Sequence, residues 1–302
     1  QKFTVTSEDG NWHKEYSVII DTFDLPLRYD FEHYELNETG KYQVFFEETQ
    51  GTALFKQYIW ASGNSGFALT GVGRNPQEYP TVSIENGIDG SRAIKLETKS
   101  TGQFGETVKM PIAAGNLFLG SFDVNNAVQK PLKATRFGLP FGKKPLQLKG
   151  YYKYTPGTQP FKAKDKNGNT VTIPGQEDEG DIYAVLYEAA ELDGKALDGN
   201  NVLTSENIVA LARVEVEKTD RYIEFETSFQ YGERKEISWP QFIYRDPSDD
   251  GTGKYLRFSE EKMKNYEYNL AVVFTSSKYG AYFAGSVGST LCIDKVEIVC
   301  EK

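Results

Sequence analysis

The segment from Leu146 to Tyr154 constrains the fold of this chain more than any other stretch. Its even positions carry mostly large apolar or aromatic side chains, whereas its odd positions are mostly polar. This alternation has the period of a β-strand with one buried face and one face in water. Tyr151 is the exception, because it places an aromatic ring among the polar side chains of the outer face. Such a ring suits a sugar-binding surface, and it equally suits an ordinary amphipathic tyrosine.

Further segments indicate short strands separated by turn residues, with no sustained helical period. The candidate strands are 43–47, 93–98, 117–122, 182–187, 208–216, 222–229, 270–275 and 291–299. One segment, 259–266, indicates a helix, with Ser259 as its N-cap before Glu260 and Glu261. The aromatic content of 14% and the 28 glycines among 302 residues also favour many strands joined by turns. We therefore predict an all-β protein, a sandwich of two antiparallel sheets.

The N-terminal twenty residues indicate a β-hairpin that stands apart from this series. Strand-like segments 3–6 and 16–20 flank a turn signal. Because an isolated hairpin is marginally stable in water, it must dock on the main domain or complete another one. We favour the second interpretation, in which residues 1–26 are the last hairpin of an immunoglobulin-like domain followed by a linker. Residues 27–302 then form the main domain.

The charge distribution argues against nucleic acid as a partner. The formal net charge is −9, and lysines and arginines are scattered rather than gathered into the basic surface that phosphate binding requires. No apolar segment approaches the roughly 20 residues that span a bilayer. We therefore expect neither a nucleic-acid partner nor a transmembrane segment in this chain.

Sequence motifs of the familiar catalytic mechanisms are absent, and the two histidines have no second ligand or base at a suitable spacing. The remaining catalytic candidates are Glu179 and Asp181, which would share one face where an acidic turn enters strand 182–187. Two carboxylates could act as acid and base in glycoside hydrolysis. The alternative is a solvated acidic turn, because Tyr183 and Val185 occupy the next positions of that face.

Another group of residues suits the recognition of sugars, which requires flat rings against C–H faces and planar polar groups against hydroxyls. Trp60 and Asn64 lie in a glycine-rich segment, and Arg136 adds a fork-shaped donor. Trp60 would equally well fill the sandwich core. The candidate carbohydrate-binding residues are Trp60, Asn64, Arg136, Tyr152, Asp181 and Tyr183.

The last candidate strand contains one carboxylate within an apolar pattern. Its even positions place Asp294 on the same face as Val296 and Ile298. A carboxylate in an apolar layer requires a cation or several hydrogen-bond donors. One interpretation is a structural calcium ion bound by Asp294 together with Asp30 or Glu32. The other is a half-exposed Asp294, or one that accepts backbone hydrogen bonds.

Six segments in a fixed order together resemble one known family. They are 60–69 (WASGNSGFAL), 111–122 (PIAAGNLFLGSF), 131–141 (PLKATRFGLPF), 148–156 (LKGYYKYTP), 177–188 (EDEGDIYAVLYE) and 285–297 (GSVGSTLCIDKVE). Their order and spacing are similar to those of the putative carbohydrate metabolism domain of Bacteroidetes surface or periplasmic proteins. The resemblance implies a β-sandwich jelly roll, often preceded by an immunoglobulin-like domain, with a carbohydrate pocket where similar glycanases bind substrate.

The resemblance also implies export to the outer-membrane surface or the periplasm, with a lipid anchor on the full-length protein. The expected function is recognition of a polysaccharide or oligosaccharide in glycan utilisation, without catalysis. Two alternatives stay open. One is a glycoside hydrolase that uses two carboxylates, and the other is a structural or adhesion module of the cell surface.

Overall fold

The computed structural model describes residues 2–17, 24–49, 55–192, 195–232, 237–246 and 254–302. The strands of these residues, numbered in chain order, are β1 (Lys2–Thr6), β2 (His13–Ser17), β3 (Arg28–Tyr29), β4 (Tyr34–Leu36), β5 (Gln43–Phe45), β6 (Glu47–Thr49), β7 (Phe55–Gln57), β8 (Trp60–Ala61), β9 (Thr81–Ile84), β10 (Ala93–Glu97), β11 (Lys99–Ser100), β12 (Ile112–Ala113), β13 (Asn116–Phe122), β14 (Thr135–Phe137), β15 (Leu139–Pro140), β16 (Pro145–Thr155), β17 (Lys162–Lys164), β18 (Thr170–Thr172), β19 (Asp181–Glu188), β20 (Ile208–Val214), β21 (Ile223–Ser228), β22 (Gln230–Tyr231), β23 (Tyr268–Thr275) and β24 (Thr290–Cys300). The α-helices are α1 (Asn64–Ala68), α2 (Gly102–Thr107) and α3 (Glu260–Lys264). Single 3₁₀ turns cover Pro76–Glu78, Ile88–Gly90, Val124–Asn126, Pro131–Lys133, Ala190–Leu192 and Gly280–Tyr282.

Two antiparallel sheets form the body of the molecule. A six-stranded sheet has the order β21–β16–β24–β10–β9, with β3 also paired to β24. An eight-stranded sheet has the order β14–β13–β23–β19–β20–β22, with β8 paired to β13 and β15 paired to β23. Each strand that the sequence indicates beyond the N-terminal hairpin coincides with an observed strand over most of its length. The prediction of an all-β, antiparallel sandwich of the jelly-roll class is confirmed.

The hydrophobic core lies between the two sheets. In β16 the even positions Leu148, Tyr152 and Tyr154 are buried against the inner positions of β19, which include Ile182 and Leu186. Burial of a large apolar side chain contributes roughly 1.5–3 kcal/mol, so the facing alternations stabilise the sandwich directly. The predicted alternation of β16 is therefore confirmed over most of its length.

One end of β16 departs from this alternation. Leu146 was expected to share the buried face, but its side chain is 38% exposed. The pairing with β24 is irregular between Pro145 and Gln147. Because a shift of one residue exchanges the two faces of a strand, the irregularity turns Leu146 towards water.

The last strand contains a β-bulge that changes which side chains face the core. Ile293 faces the core before the bulge and Val296 faces it afterwards. Between them Lys295 has a left-handed φ of 46°, and the register with β16 shifts at this point. One inserted residue inverts every side chain beyond it. The prediction that Asp294 shares a face with Val296 is wrong, because Asp294 points away from the core.

The predicted N-terminal hairpin is present, since β1 and β2 pair in antiparallel register from Lys2 opposite Ser17 to Thr6 opposite His13. Residues 18–20 of the predicted second strand lie outside the described residues. In the predicted linker, Leu25 packs into the sandwich core. The origin of the hairpin in an immunoglobulin-like domain and the boundary after residue 26 stay predictions.

The predicted helix is also present as α3, and the hydroxyl oxygen of Ser259 accepts a hydrogen bond from the Lys262 backbone N–H at 3.3 Å. This contact satisfies one of the unpaired donors at the helix start. Within the described residues, no helix has both the length and the apolar character to cross a membrane.

Candidate functional site

The outer face of the eight-stranded sheet is the floor of a cleft of about 770 Å³. Its floor includes Phe118, Tyr183 and Val273, whose neighbours along each strand face the core. The volume is within the usual range of ligand sites. Loops and short helices from distant parts of the chain border the cleft, within 63–70, 101–114, 127–135, 199–204, 237–245 and 277–283.

Three half-buried aromatic residues form one side of the cleft, and we call them the aromatic wall: Trp239, Tyr279 and Tyr282. The Trp239 ring centroid lies 6.2 Å from that of Tyr279 and 5.9 Å from that of Tyr282. These distances are typical of edge-to-face and tilted aromatic pairs. Rings that pack on one another and keep part of their surface exposed offer a rigid surface for an amphipathic ligand.

Arg245 connects the aromatic wall to a neighbouring loop. Its guanidinium lies 4.2 Å from the centroid of the Trp239 ring, a cation–π contact. Its Nε donates to Tyr282 Oη at 3.0 Å. Its Nη2 donates to the Asn200 carbonyl at 2.9 Å and to Thr204 Oγ1 at 3.0 Å. One side chain therefore holds three loops in a fixed arrangement around the cleft.

A bidentate ion pair, with two hydrogen bonds, joins β19 and β20 in the cleft floor. Arg213 Nε donates to Asp181 Oδ1 at 2.9 Å, and its Nη2 donates to Oδ2 at 2.6 Å. The Asp181 residue is only 3% exposed. Burial by itself would lower the pKa of Arg213, but the adjacent carboxylate outweighs burial and raises that pKa. The guanidinium also lies 6.0 Å from the centroid of the Tyr183 ring.

A buried carboxylate anchors the loop that carries Tyr279 and Tyr282. Asp178 Oδ2 accepts hydrogen bonds from Ser277 Oγ at 2.6 Å, the Ser286 backbone N–H at 2.8 Å and Ser289 Oγ at 2.7 Å. Burial raises the pKa of Asp178 to about 6, although these hydrogen bonds act in the opposite direction. The Glu179 backbone N–H donates to Asp178 Oδ1 at 3.0 Å, so four donors hold this carboxylate at the base of the loop.

The structure brings together two of the six predicted carbohydrate-binding residues, since Asp181 and Tyr183 both line the cleft. Tyr152 lies in the core between the sheets. Trp60 lies there too, and its Nε1 donates to Glu47 Oε1 at 2.7 Å. Its partner in β13 is Leu119, which also faces the core. Trp60 therefore fills the core, which is the alternative that its sequence context left open.

The other two predicted residues do not line the cleft. Asn64 is fully buried, where its Nδ2 donates to the Thr81 carbonyl at 2.8 Å and its Oδ1 accepts from the Thr81 N–H at 3.1 Å. Arg136 is exposed on β14, and its Nη2 donates to Asp123 Oδ2 at 2.9 Å. Asn64 thus joins two chain segments, and Arg136 forms a surface ion pair.

The two catalytic candidates both line the cleft, and both are already in ion pairs. Glu179 Oε2 accepts from Lys278 Nζ at 2.6 Å, whereas Asp181 is bound by Arg213. A third carboxylate, Glu215, lies on the cleft edge and is exposed. The cleft therefore contains three carboxylates, and two of them are held by basic partners.

The three residues predicted to bind calcium have separate hydrogen-bond partners. Asp294 Oδ2 accepts from the Ile88 N–H and from Ser91 Oγ, each at 2.7 Å. Glu32 Oε1 accepts from the Arg92 N–H at 2.9 Å, and Asp30 accepts from the Glu32 N–H. In the part of the chain that the structure describes, no group of three or more His, Cys, Asp or Glu side chains is arranged to bind a metal ion.

Five residues of the cleft were missed by the sequence reasoning: Arg213, Trp239, Arg245, Tyr279 and Tyr282. Arg213 carries a usable signal, because it is the one charged residue of the apolar segment Ile208–Val214. Trp239 precedes a proline in a polar segment, which also suggests a surface role. The remaining three carry no local signal, since their proximity comes from the folded chain.

Fold and site together define a β-sandwich domain with a ligand-sized cleft across the outer face of one sheet. Residues 30–299 match the family described as putative carbohydrate metabolism domain, and the chain belongs to this family. The resemblance inferred from the six sequence segments is therefore confirmed. No curated protein matches the chain.

Two solved structures are similar to this chain over most of its length. One, from Bacteroides thetaiotaomicron VPI-5482, is described as a putative glycoside hydrolase and is 42% identical, with a TM-score of 0.76 over 100% of this chain and 79% of that chain. The other, from Bacteroides vulgatus ATCC 8482, has the same description and is 35% identical, with a TM-score of 0.73 over 93% of this chain and 100% of that chain.

Proposed function

We propose that this protein recognises a polysaccharide or oligosaccharide in glycan utilisation and binds it, without cleavage, in the cleft of the eight-stranded sheet. One observation carries the proposal: the aromatic wall stands beside a floor with paired, planar polar groups, in a cleft of about 770 Å³. Sugar rings have apolar C–H faces and a polar rim of hydroxyls, so they require both kinds of surface at once.

Each part of the cleft has a role in this proposal. Trp239 and Tyr282 stack against the C–H faces of sugar residues. The Asp181 carboxylate retains lone pairs beyond its two contacts with Arg213, and these accept hydrogen bonds from hydroxyls. Because Arg245 holds the loops in place before a ligand arrives, less conformational entropy is lost on binding.

The family relationship supports a carbohydrate as the ligand class. A structural or adhesion module would not require a cleft of this composition, and we therefore disfavour it. We retain as proposals the export to the outer-membrane surface or periplasm, the lipid anchor of the full-length protein and the immunoglobulin-like origin of the hairpin.

Isothermal titration calorimetry against a panel of plant, algal and host oligosaccharides tests the proposal. Trp239→Ala and Tyr282→Ala should each weaken binding at least about tenfold, with an unchanged β-sheet circular dichroism spectrum. Trp12→Ala is the matched control, because Trp12 is exposed on the N-terminal hairpin and does not line the cleft. Unchanged affinity of both cleft variants for every glycan that binds would refute the proposal.

A second candidate function is glycoside hydrolysis. The observation that favours it is the presence of Glu179, Asp181 and Glu215 in one cleft, together with the description of both similar structures as putative glycoside hydrolases. The ion pairs of Glu179 and Asp181 weigh against a free acid and base pair. Release of reducing sugar from a bound glycan, lost in Glu215→Gln and in Asp181→Asn, would establish hydrolysis and replace the binding-only proposal.

A further inference from the structure

The charged groups of the cleft are already matched to one another. Arg213 directs both its Nε and its Nη2 at Asp181, and Lys278 Nζ lies 2.6 Å from Glu179 Oε2. Each of these two cations therefore faces a carboxylate before any ligand binds. Glu215 adds a further negative charge at the cleft edge.

Arg245, the third cation of the described cleft, serves to position the loops. Three of its N–H contacts are to the Tyr282 hydroxyl, the Asn200 carbonyl and the Thr204 hydroxyl, and its face lies on the Trp239 ring. A ligand anion that recruited this guanidinium would have to draw it away from the loops that form the aromatic wall. The contacts of Arg245 are therefore those of a residue that holds loops in place.

An anionic ligand would therefore meet opposition from several sources. To reach Arg213 it must approach the buried Asp181 carboxylate, and like charges repel strongly where water is excluded. At Lys278 it meets Glu179 in the same way, although water screens that more exposed pair. The net charge of −9 adds a long-range field that disfavours anions.

We infer that the cleft selects uncharged oligosaccharides and discriminates against glycans that carry uronate or sulfate groups. This inference rests on the proposed carbohydrate-binding function and names the substrate class. Paired carboxylates and guanidinium groups still exchange hydrogen bonds with sugar hydroxyls, which bring no net charge into the cleft. The ion pairs thus provide polar contacts while they exclude ligand anions.

Matched glycans test this charge selection. The acidic probes are oligosaccharides of polygalacturonate, of alginate and of chondroitin sulfate. Each is paired with an uncharged form of the same linkages, which is carboxyl-reduced and, for chondroitin sulfate, also desulfated. Neutral galactan, mannan and xylan oligosaccharides complete the set. All binders should be uncharged, and any uncharged form that binds should bind at least about tenfold more tightly than its acidic parent. An acidic parent that binds as tightly as its uncharged form would overturn the inference. A complete absence of binding would instead refute the proposed function, and the inference with it.

Removal of one carboxylate sharpens the test. Asp181→Asn leaves Arg213 without its opposing charge and should raise the affinity for each acidic probe, measured relative to its uncharged form on the same variant, at least about tenfold at low salt. Glu226→Gln is the matched control, because it removes the same charge from an ion pair with Lys149 on the other sheet. An equal gain in affinity for acidic probes in both variants would mean that net charge causes the effect. It would contradict the exclusion of anions by the local ion pair.

Asp181→Asn leaves the half-buried guanidinium of Arg213 unpaired, so the folding of this variant must be checked by circular dichroism. Glu179→Gln applies the same test at Lys278, where the pair is more exposed and the variant is expected to fold. The gain for acidic probes there should be about threefold and should vanish at high salt. Failure of the folded variants to gain affinity for acidic probes would refute the inference.

Discussion

The outer faces of the two sheets are built from similar strands, yet they differ sharply. On the six-stranded sheet, Lys149 and Tyr151 are half-exposed, and Lys149 forms an ion pair with Glu226 on the adjacent strand. On the eight-stranded sheet, loops cover the outer face so that Tyr183 and Val185 are as buried as core residues.

The difference shows what the loops contribute. Both sheets have one face in the common core, so strand alternation alone does not distinguish their outer faces. Tyr151 and Tyr183 are both outward-facing tyrosines on long strands, but only Tyr183 lies beneath loops that enclose a cleft. A strand therefore acquires a binding role from the loops above it, because they exclude water and add groups from elsewhere in the chain.

The largest expected effect is on the buried ion pair. Arg213→Ala leaves the Asp181 carboxylate buried without its cation and should lower the free energy of unfolding by about 3–5 kcal/mol. Urea denaturation followed by circular dichroism measures this change.

The double variant Asp181→Asn/Arg213→Met removes both charges and should be less destabilised than Arg213→Ala, since no unpaired charge stays buried. A loss below about 1 kcal/mol for Arg213→Ala would show that this pair behaves like an exposed one, and the contrast between the two sheet faces would be weaker.

The next largest effect is the pH dependence of the unfolding free energy that arises from Asp178, the carboxylate at the base of the cleft loop. The pKa of Asp178 is raised to about 6 by burial, so the folded state holds this proton more tightly than the unfolded state does. Proton binding by Asp178 therefore stabilises the folded state fully below about pH 4. This stabilisation, of up to about 3 kcal/mol, is lost as the pH rises through 6. Asp178→Asn should flatten the fall in unfolding free energy between pH 4 and pH 6.

Glu47 provides the comparison at a second buried position. Burial raises the pKa of Glu47 to about 7. Glu47→Gln should therefore flatten the pH dependence of the unfolding free energy over a pH range that extends closer to neutrality. Denaturant titrations at several pH values separate the two windows. An unchanged slope in Asp178→Asn between pH 4 and pH 6 would contradict the role assigned to Asp178.

A smaller effect is expected on glycan affinity. Trp239→Ala removes a ring of the aromatic wall and should cost at least about 1.4 kcal/mol of binding free energy, which is a tenfold loss. Tyr151→Ala removes an aromatic ring from the outer face of the other sheet and should leave affinity unchanged. Calorimetry of both variants shows which sheet face binds the glycan. A loss of affinity in Tyr151→Ala alone would assign the binding surface to the six-stranded sheet.

The smallest effect is expected for the ion pair of the exposed face. Lys149→Ala should leave the denaturation midpoint unchanged within experimental error, because water and salt screen its contact with Glu226. A destabilisation comparable to that of Arg213→Ala would remove the distinction between an enclosed and an open sheet face.

Much of the fold was predictable because strand burial has a period of two residues. The segments around β16 and β19 revealed both the strands and their buried positions. The bulge at Lys295 was not predictable, since the inserted residue has no distinctive side chain and its φ of 46° is stabilised by the neighbouring strands. For that reason the orientation of Asp294 was assigned to the wrong face.

For the candidate site, the sequence alone determined that Asp181 and Tyr183 stand at the start of one strand, directed to the same side. The tertiary structure decided that this side is a cleft, because it brings the loops of Asn200, Trp239 and Tyr282 together over the sheet. Local sequence encodes strand period and turns through nearest-neighbour sterics, whereas contacts between distant loops depend on how the two sheets pack. The same packing buried Trp60 in the core.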